Sequence, residues 1–224
     1  MLTFDVAGSG DCGPAVFSPM RHADAQGFAD DLSVLVSELD LSGSVYVGHS
    51  ISGIAGALAS AADPGLFSRL VLVGTSARYV DDAATGYVGG MTEDGLADLL
   101  AAVRSDFPMW AAGFAPAAMA NADRPALAEE FAQSLLRYPP DVAYTLLRGA
   151  FRGDFRAEMS RVLVPTLVLQ SAEDVAVPLQ SSQWLADAIP EAGLEVLPAA
   201  GHFPQVSAPA AVAASIGRFL DEDT

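Results

Sequence analysis

Val45-Tyr46-Val47-Gly48-His49-Ser50-Ile51-Ser52-Gly53 is the stretch from which the fold can be read. Three alternating β-formers run into a serine between small residues, and the run Ile54 to Ala62 leaves on the other side with helical character. The pattern predicts a strand, a tight turn and a helix. A serine on such a turn is forced into strained backbone geometry, tolerable only where the residues two before and two after are small enough for strand and helix to approach. Gly48 and Ser52 meet that demand, with Gly53 one position further on, so the stretch reads as a variant of the G-x-S-x-G nucleophile elbow. An ordinary strand-to-helix connection in a doubly wound sheet also favours Gly and Ser. Alone, the stretch makes Ser50 a candidate nucleophile and no more.

Composition narrows the chemistry. At 224 residues and 51% hydrophobic content, the chain can bury a core as one domain, or as a domain with a lid. Its formal charge of -17 repels phosphate backbones and anionic lipid, which argues against nucleic acid and membrane as partners. All 11 basic residues are arginine, so the phosphate-cradling loop that ends in lysine and Schiff-base chemistry are both excluded. Cys12 is the only cysteine and three histidines are scattered; neither an internal disulfide nor a metal-ligand spacing can be drawn, and no cofactor is implied. A reducing, cytoplasmic location fits. No basic leader precedes an apolar run, and no stretch approaches about 18 uncharged apolar residues.

Along the chain, Leu2 to Val6 reads as a buried strand that begins almost at Met1. Gly8-Ser9-Gly10-Asp11-Cys12-Gly13 matches the dinucleotide fingerprint G-x-G-x-x-G in form, and with it a remote reading as a nucleotide-binding oxidoreductase. The fingerprint works only where its glycines open a helix, and Pro14 and Pro19 predict a turn-rich loop instead. A helix follows from Asp24 as N-cap through Phe28, Leu32, Leu35, Val36 and Leu39, which share one face. Beyond the elbow, Leu70 to Val73 is a fully buried parallel strand. From Tyr79 to Asp154 no strand-like run occurs; helices over 92–104, 109–120, 124–138 and 141–151 are separated by glycine and proline, which predicts a helical cap inserted into an α/β core. Trp110 and Phe114, four residues apart, share a helix face; cap packing and pocket lining are equally open for them. The sheet resumes at Thr166 to Gln170, and a short edge strand covers Leu194 to Leu197.

Asp174 lies just past the first of these two strands and His202 just past the second, where open α/β sheets place their ligand sites. Ser50, Asp174 and His202 therefore occur in the chain order Ser, Asp, His, each at the carboxyl end of a different predicted strand, which is the order of the α/β-hydrolase triad. Singly, Asp174 could be a helix cap and His202 a loop residue. Jointly they point to nucleophilic acyl chemistry: His202 takes the Ser50 proton, Asp174 orients the imidazole, and the Ile51 N–H donates to the oxyanion.

With these residues in place, the chain resembles the α/β-hydrolases of the group that includes bacterial energy-stress sigma-factor regulators and the plant strigolactone and karrikin receptors. Gly48-His49-Ser50-Ile51-Ser52, Tyr87-Val88-Gly89-Gly90, Trp110 to Pro116, Asp174 with Val177-Pro178, and Gly201-His202-Phe203-Pro204 carry the resemblance over essentially the whole chain. It implies a three-layer α/β/α, mostly parallel sheet with a four-helix lid, divided as core 1–78, lid 79–154 and core 155–224. It further implies a small apolar pocket over Ser50 lined by His49, Trp110, Phe114, Phe151 and Phe203. The substrate class would be a small hydrophobic ester or lactone. The alternative is a ligand sensor that engages a protein through its lid with slow or no turnover. Relatives of this kind carry about 40 further residues upstream, with the first strands of the sheet and a second oxyanion donor. The expectation is therefore an N-terminally truncated hydrolase fold lacking those strands, with impaired stability and activity.

Overall fold

The structure, a computed structural model, describes residues 1–221. Its centre is a sheet of four parallel strands in spatial order β1-β2-β3-β4: β1 (Ser44–His49), β2 (Phe67–Val73), β3 (Thr166–Glu173) and β4 (Ala192–Ala200). Strands 2 and 3 are buried apolar runs, as a parallel sheet covered on both faces requires. Helices α1 (Ala25–Glu38), α2 (Ile51–Ala62) and, further along, Leu179–Ala188 pack on one face around Phe28, Leu32, Leu58, Leu70, Leu72 and Leu185. The C-terminal helix Pro209–Asp221 covers the other face through Val212, against Val71, Val73, Leu167, Leu169 and Leu197. This is the three-layer α/β/α arrangement.

Between β2 and β3 the chain forms helices α3 (Glu93–Ser105), α4 (Phe107–Met119), α5 (Pro125–Leu135) and α6 (Pro140–Arg152) and contributes no strand to the sheet. Their starts are encoded locally. Thr92 caps α3 by accepting from the Gly95 N–H at 3.0 Å, Asp106 caps α4 by accepting from Met109 at 2.9 Å, and a proline stands in the first turn of α4, α5 and α6, where its missing N–H costs nothing. At the neck of this excursion Arg78 pairs with Asp154 at 2.6 Å, and Arg156 pairs with both Asp154 and Asp82. The Arg156 guanidinium holds the Asp154 carboxyl far below the usual carboxylate range. α7 is the helix Leu179–Ala188; after β4 come the short α8 (Pro204–Ser207) and α9 (Pro209–Asp221).

At the N-terminus one expectation fails and another holds. Leu2 to Val6 is not a strand: it pairs with no other strand, Met1 to Asp5 are exposed, and the Asp5 carboxylate instead accepts from the Asp11 N–H at 2.8 Å. A β-former run becomes a strand only when a neighbour supplies its hydrogen bonds. The Gly8 to Gly13 stretch holds a three-residue 3₁₀ turn, followed by another at Pro14–Val16, and no α-helix begins before Ala25. With neither strand before nor helix after it, the dinucleotide reading has no structural basis.

Consequently β1, the strand that carries the elbow, forms one edge of the sheet among the described residues. Val45 and Val47 are 38% and 49% exposed, on the same face as buried Val71.

Candidate active site

Ser50 sits between β1 and α2 at φ 53, ψ -120, a conformation that costs a non-glycine residue on the order of 1–3 kcal/mol and holds only where the surroundings over-determine it. What permits the turn is a near-collision of backbones. A Cβ on Gly48 would lie 2.7 Å from the Gly53 backbone, and one on Gly53 would overlap Thr75 Oγ1. The residue that must be small is thus Gly53 rather than Ser52, which explains why the last place of the motif is displaced by one. Ser52 instead offers its carbonyl to the Tyr46 hydroxyl at 3.0 Å.

Asp174 and His202 converge on this serine from the ends of β3 and β4. His202 Nδ1 lies 2.9 Å from Asp174 Oδ2, and His202 Nε2 lies 3.0 Å from Ser50 Oγ. Because a carboxylate only accepts, Nδ1 carries the imidazole proton, Nε2 is the bare nitrogen, and the Ser50 hydroxyl donates to it. Burial pushes the Asp174 carboxyl up, but His202, the Ala176 N–H and the Gln170 amide together hold it below its ordinary value. Buried Gln170 orients it further, donating from Nε2 to Asp174 Oδ2 at 3.0 Å and to the Val177 carbonyl at 3.1 Å while Oε1 accepts from Ser182. Neighbouring Glu173 projects to solvent.

The His202 loop is held by the end of α4 and the turn that joins it to α5. His202 N–H donates to the Ala118 carbonyl at 2.7 Å, Asn121 donates to the Ala200 carbonyl at 3.1 Å, and Arg124 donates to the Ser207 carbonyl at 2.8 Å. Gly201, at φ +94, admits this approach, since a Cβ there would overlap the Met119 carbonyl oxygen. On the other side His49 Nε2 donates to the His202 carbonyl at 2.8 Å. Burial, then the proximity of His202, pushes the His49 imidazole down to about 3, so it is a neutral hydrogen-bond donor. Its open surface faces a cavity.

That cavity, of about 310 Å³, lies over Ser50 and is walled largely by Phe28, Phe107, Phe114, Phe131, Phe151 and Phe203. Among the described residues, no arginine, aspartate or glutamate lines it. His49, Phe114, Phe151 and Phe203 are brought together in this lining. Trp110 is not: it lies outside the lining, its ring stacked on Phe114 at 4.8 Å and on Phe107 at 6.0 Å, and therefore supports the wall from behind. The Ile51 amide heads α2 and has no carbonyl four residues back to accept from it within the helix, leaving it free to face a developing negative charge. Several lining groups escaped the sequence reading, three of them close to the chemistry. Phe4 and Val6 reach the cavity from the unpaired N-terminal segment, and Tyr79, past the end of β2, places its hydroxyl 3.2 Å from Ser50 Oγ.

The fold and the elbow define the class, and the chain belongs to it: the family model described as "Alpha/beta hydrolase family" matches residues 1–215. Within that family it is 36% identical to a probable esterase of Oryza sativa subsp. japonica, over 100% of this chain and 82% of the relative. It is 34% identical to "Karrikin insensitive 2 receptor CA" of Petunia hybrida, over 100% of this chain and 82% of that protein. Among solved structures, a hydrolase from Oleispira antarctica superposes with a TM-score of 0.93 at 28% identity, covering 98% of this chain and 80% of that one.

Proposed function

We propose that this protein is a serine hydrolase of small, neutral, apolar esters or lactones, with Ser50 as nucleophile, His202 as base, Asp174 as its orienting acid and the Ile51 N–H as an oxyanion donor. One observation carries the reading: a strained serine 3.0 Å from an imidazole that is itself 2.9 Å from a buried carboxylate, at the floor of an uncharged aromatic cavity. In acylation the Ser50 proton passes to His202 Nε2 as Oγ bonds to the acyl carbon; the leaving oxygen then takes that proton, and water repeats the sequence to free the acid. The cavity volume stands at the lower end for ligand sites, which argues for a small substrate. Lacking an arginine, the cavity offers no partner to a carboxylate, which argues for a neutral one. Residues 79–154 act as the lid. A fluorophosphonate should label Ser50 covalently, and Ser50→Ala should abolish both labelling and ester hydrolysis; equal labelling of the variant rejects the assignment.

A second reading, ligand sensing through the lid, rests on the three hydrogen bonds that tie the His202 loop to residues 118–124, and on the similarity to the Petunia hybrida receptor. An acyl group or ligand that displaced His202 would shift the lid with it. Ligand-dependent hydrogen exchange in 107–124 with slow turnover would favour sensing; fast turnover with unchanged exchange would favour the simple hydrolase.

A further inference from the structure

Among the described residues, Tyr79 is the one side chain outside the triad that is hydrogen-bonded to the Ser50 hydroxyl. Its hydroxyl has Ser50 Oγ as its hydrogen-bond partner at 3.2 Å. The roles in this pair are fixed by the triad: the Ser50 proton is directed at His202 Nε2, so Ser50 Oγ can only accept from Tyr79 and the phenol must donate. Desolvation, which outweighs the opposing effect of the contact with Ser50, pushes the phenol up to about 12, and it stays protonated wherever the imidazole works as a base.

The surroundings hold this donor in place. The Tyr79 ring packs edge-on against Phe151 at 4.8 Å and is buried. Its carbonyl accepts from the Met91 N–H at 3.1 Å. Gly89, from the Tyr87-Val88-Gly89-Gly90 motif, lies so close that a Cβ there would be 2.5 Å from the Tyr79 carbonyl carbon. Asp81 Oδ1 accepts from the N–H groups of Gly89 and Gly90, each at 2.9 Å, and Tyr87 and Ser76 bond to each other, to Ser181 and to the Arg78 carbonyl. The motif thus acts as a clamp on the loop that presents Tyr79.

We propose that Tyr79 is a catalytic hydrogen-bond donor, which passes its O–H from Ser50 Oγ to the substrate oxyanion during acyl transfer and so joins the Ile51 N–H in stabilising it. The inference rests on the serine-hydrolase reading above. As Oγ attacks, its lone pair enters the new C–O bond, its proton moves to His202, and the carbonyl π electrons move onto the carbonyl oxygen. The old acceptor weakens as a new one forms on the same carbon, a short swing away. Collapse restores the C=O bond and expels the alkoxide, which takes its proton from His202. Tyr79 keeps its own proton throughout.

Tyr79→Phe removes the hydroxyl alone, retains the ring against Phe151 and leaves no buried polar atom unpaired, so the variant should fold. Wild type, Tyr79→Phe and Ser50→Ala are compared on a p-nitrophenyl ester and an ethyl ester of the same short apolar acid. Active sites are counted by phosphonate titration, so that each rate is per competent site. Losing one oxyanion donor predicts a fall in kcat on the order of 10²-fold, with KM nearly unchanged and equal in size for both leaving groups. An unaltered per-site kcat in Tyr79→Phe, with Ser50→Ala inactive, overturns the inference while the hydrolase reading stands. A loss confined to the poor leaving group would assign the hydroxyl to the departing oxygen and likewise overturn the oxyanion role. Retained hydrolysis in Ser50→Ala would remove the reading on which it rests.

Discussion

The two edges of the sheet are built to different standards. At the β4 edge a nine-residue strand runs beside β3 from Thr166 to Glu173, α7 and α9 pack against it and bury Leu197, and the loop that carries His202 beyond it is pinned to the segment between α4 and α5. At the β1 edge a six-residue strand leaves Val45 and Val47 bare on the face that α9 covers elsewhere, and the 23 residues before the α1 cap, Asp24, contain no strand and no α-helix. Yet β1 carries the elbow, whose geometry demands rigidity. Rigidity therefore comes from the helix side: Gly48 against Gly53, Thr75 against Gly53, and α2 buried along nearly its whole length. The difference teaches that the orientation of Ser50 depends on α2 and β2 far more than on whatever lies beyond β1.

The largest expected effect tests the well-built edge. Asp174→Asn keeps the shape of the carboxyl and the oxygen that accepts from the Ala176 and Val177 N–H groups, but turns the oxygen that accepts from His202 and Gln170 into a donor, so the fold should survive with a lowered melting temperature. His202 would take the wrong tautomer, and kcat should fall by about 10⁴-fold. Full activity in this variant would move the acid elsewhere, with Glu173 next in line.

Next come two glycines, one at each edge, both with positive φ. Gly201→Ala at φ +94 runs into the Met119 carbonyl oxygen, whereas Gly43→Ala at φ +77, just before β1, meets nothing within 4 Å. The first should cost at least about 2 kcal/mol and loosen His202, the second about 1 kcal/mol of backbone strain with activity intact. Chemical denaturation of both variants beside the wild type measures the gap, and equal costs would mean that the end of α4 does not press on the His202 loop.

What the sequence could reveal follows the same division. Asp24, Thr92 and Asp106 are caps because a side chain three residues or fewer away in sequence satisfies an amide, and such features are readable without any fold. The placement of Asp174 and His202 beyond strand ends was readable too, because parallel strands advertise themselves as apolar runs. Leu2 to Val6 has the same composition and is no strand, since strandhood depends on a partner that composition does not specify. Trp110 was misplaced for a similar reason: helical spacing puts Trp110 and Phe114 on one face but does not say which of the two stacked rings stands nearer the cavity. Tyr79 went unseen because the loop after β2 lacks any local signature for a hydroxyl aimed backward at residue 50.

His49 links the two edges, ending β1 and donating to the His202 carbonyl. Burial, then the proximity of His202, pushes its imidazole down to about 3 in the folded protein, against an ordinary value near 6.5 when unfolded. Between those values the unfolded chain binds a proton that the folded chain refuses, so stability is complete above about pH 6.5 and is lost as pH falls toward 3. The slope reaches at most about 1.4 kcal/mol per pH unit from this group. Denaturation between pH 7 and 5 should show it, and His49→Gln, which keeps an amide donor for the His202 carbonyl, should flatten it. An unchanged slope in that variant would assign the acid sensitivity to other groups.

The smallest expected effect probes the open edge itself. Val45 and Val47 present apolar surface to solvent in the described structure, so lysines in their place can keep their stems on the strand and their ammonium groups in water, and surface changes of this kind usually stay within about 0.5 kcal/mol. Lysine on an exposed edge also opposes strand-on-strand association. The Val45→Lys/Val47→Lys protein should therefore melt close to the wild type, keep its esterase rate, and stay monomeric at concentrations where an open edge would recruit a second chain. Burying two unpaired ammonium groups would instead cost several kcal/mol. A large drop in melting temperature would therefore mean that polypeptide covers this face in solution, and the exposed valines would then mark its docking site. Either result fixes which edge limits the molecule: a silent double lysine leaves the elbow held by α2 and β2 alone, and a damaging one makes the β1 face part of the core.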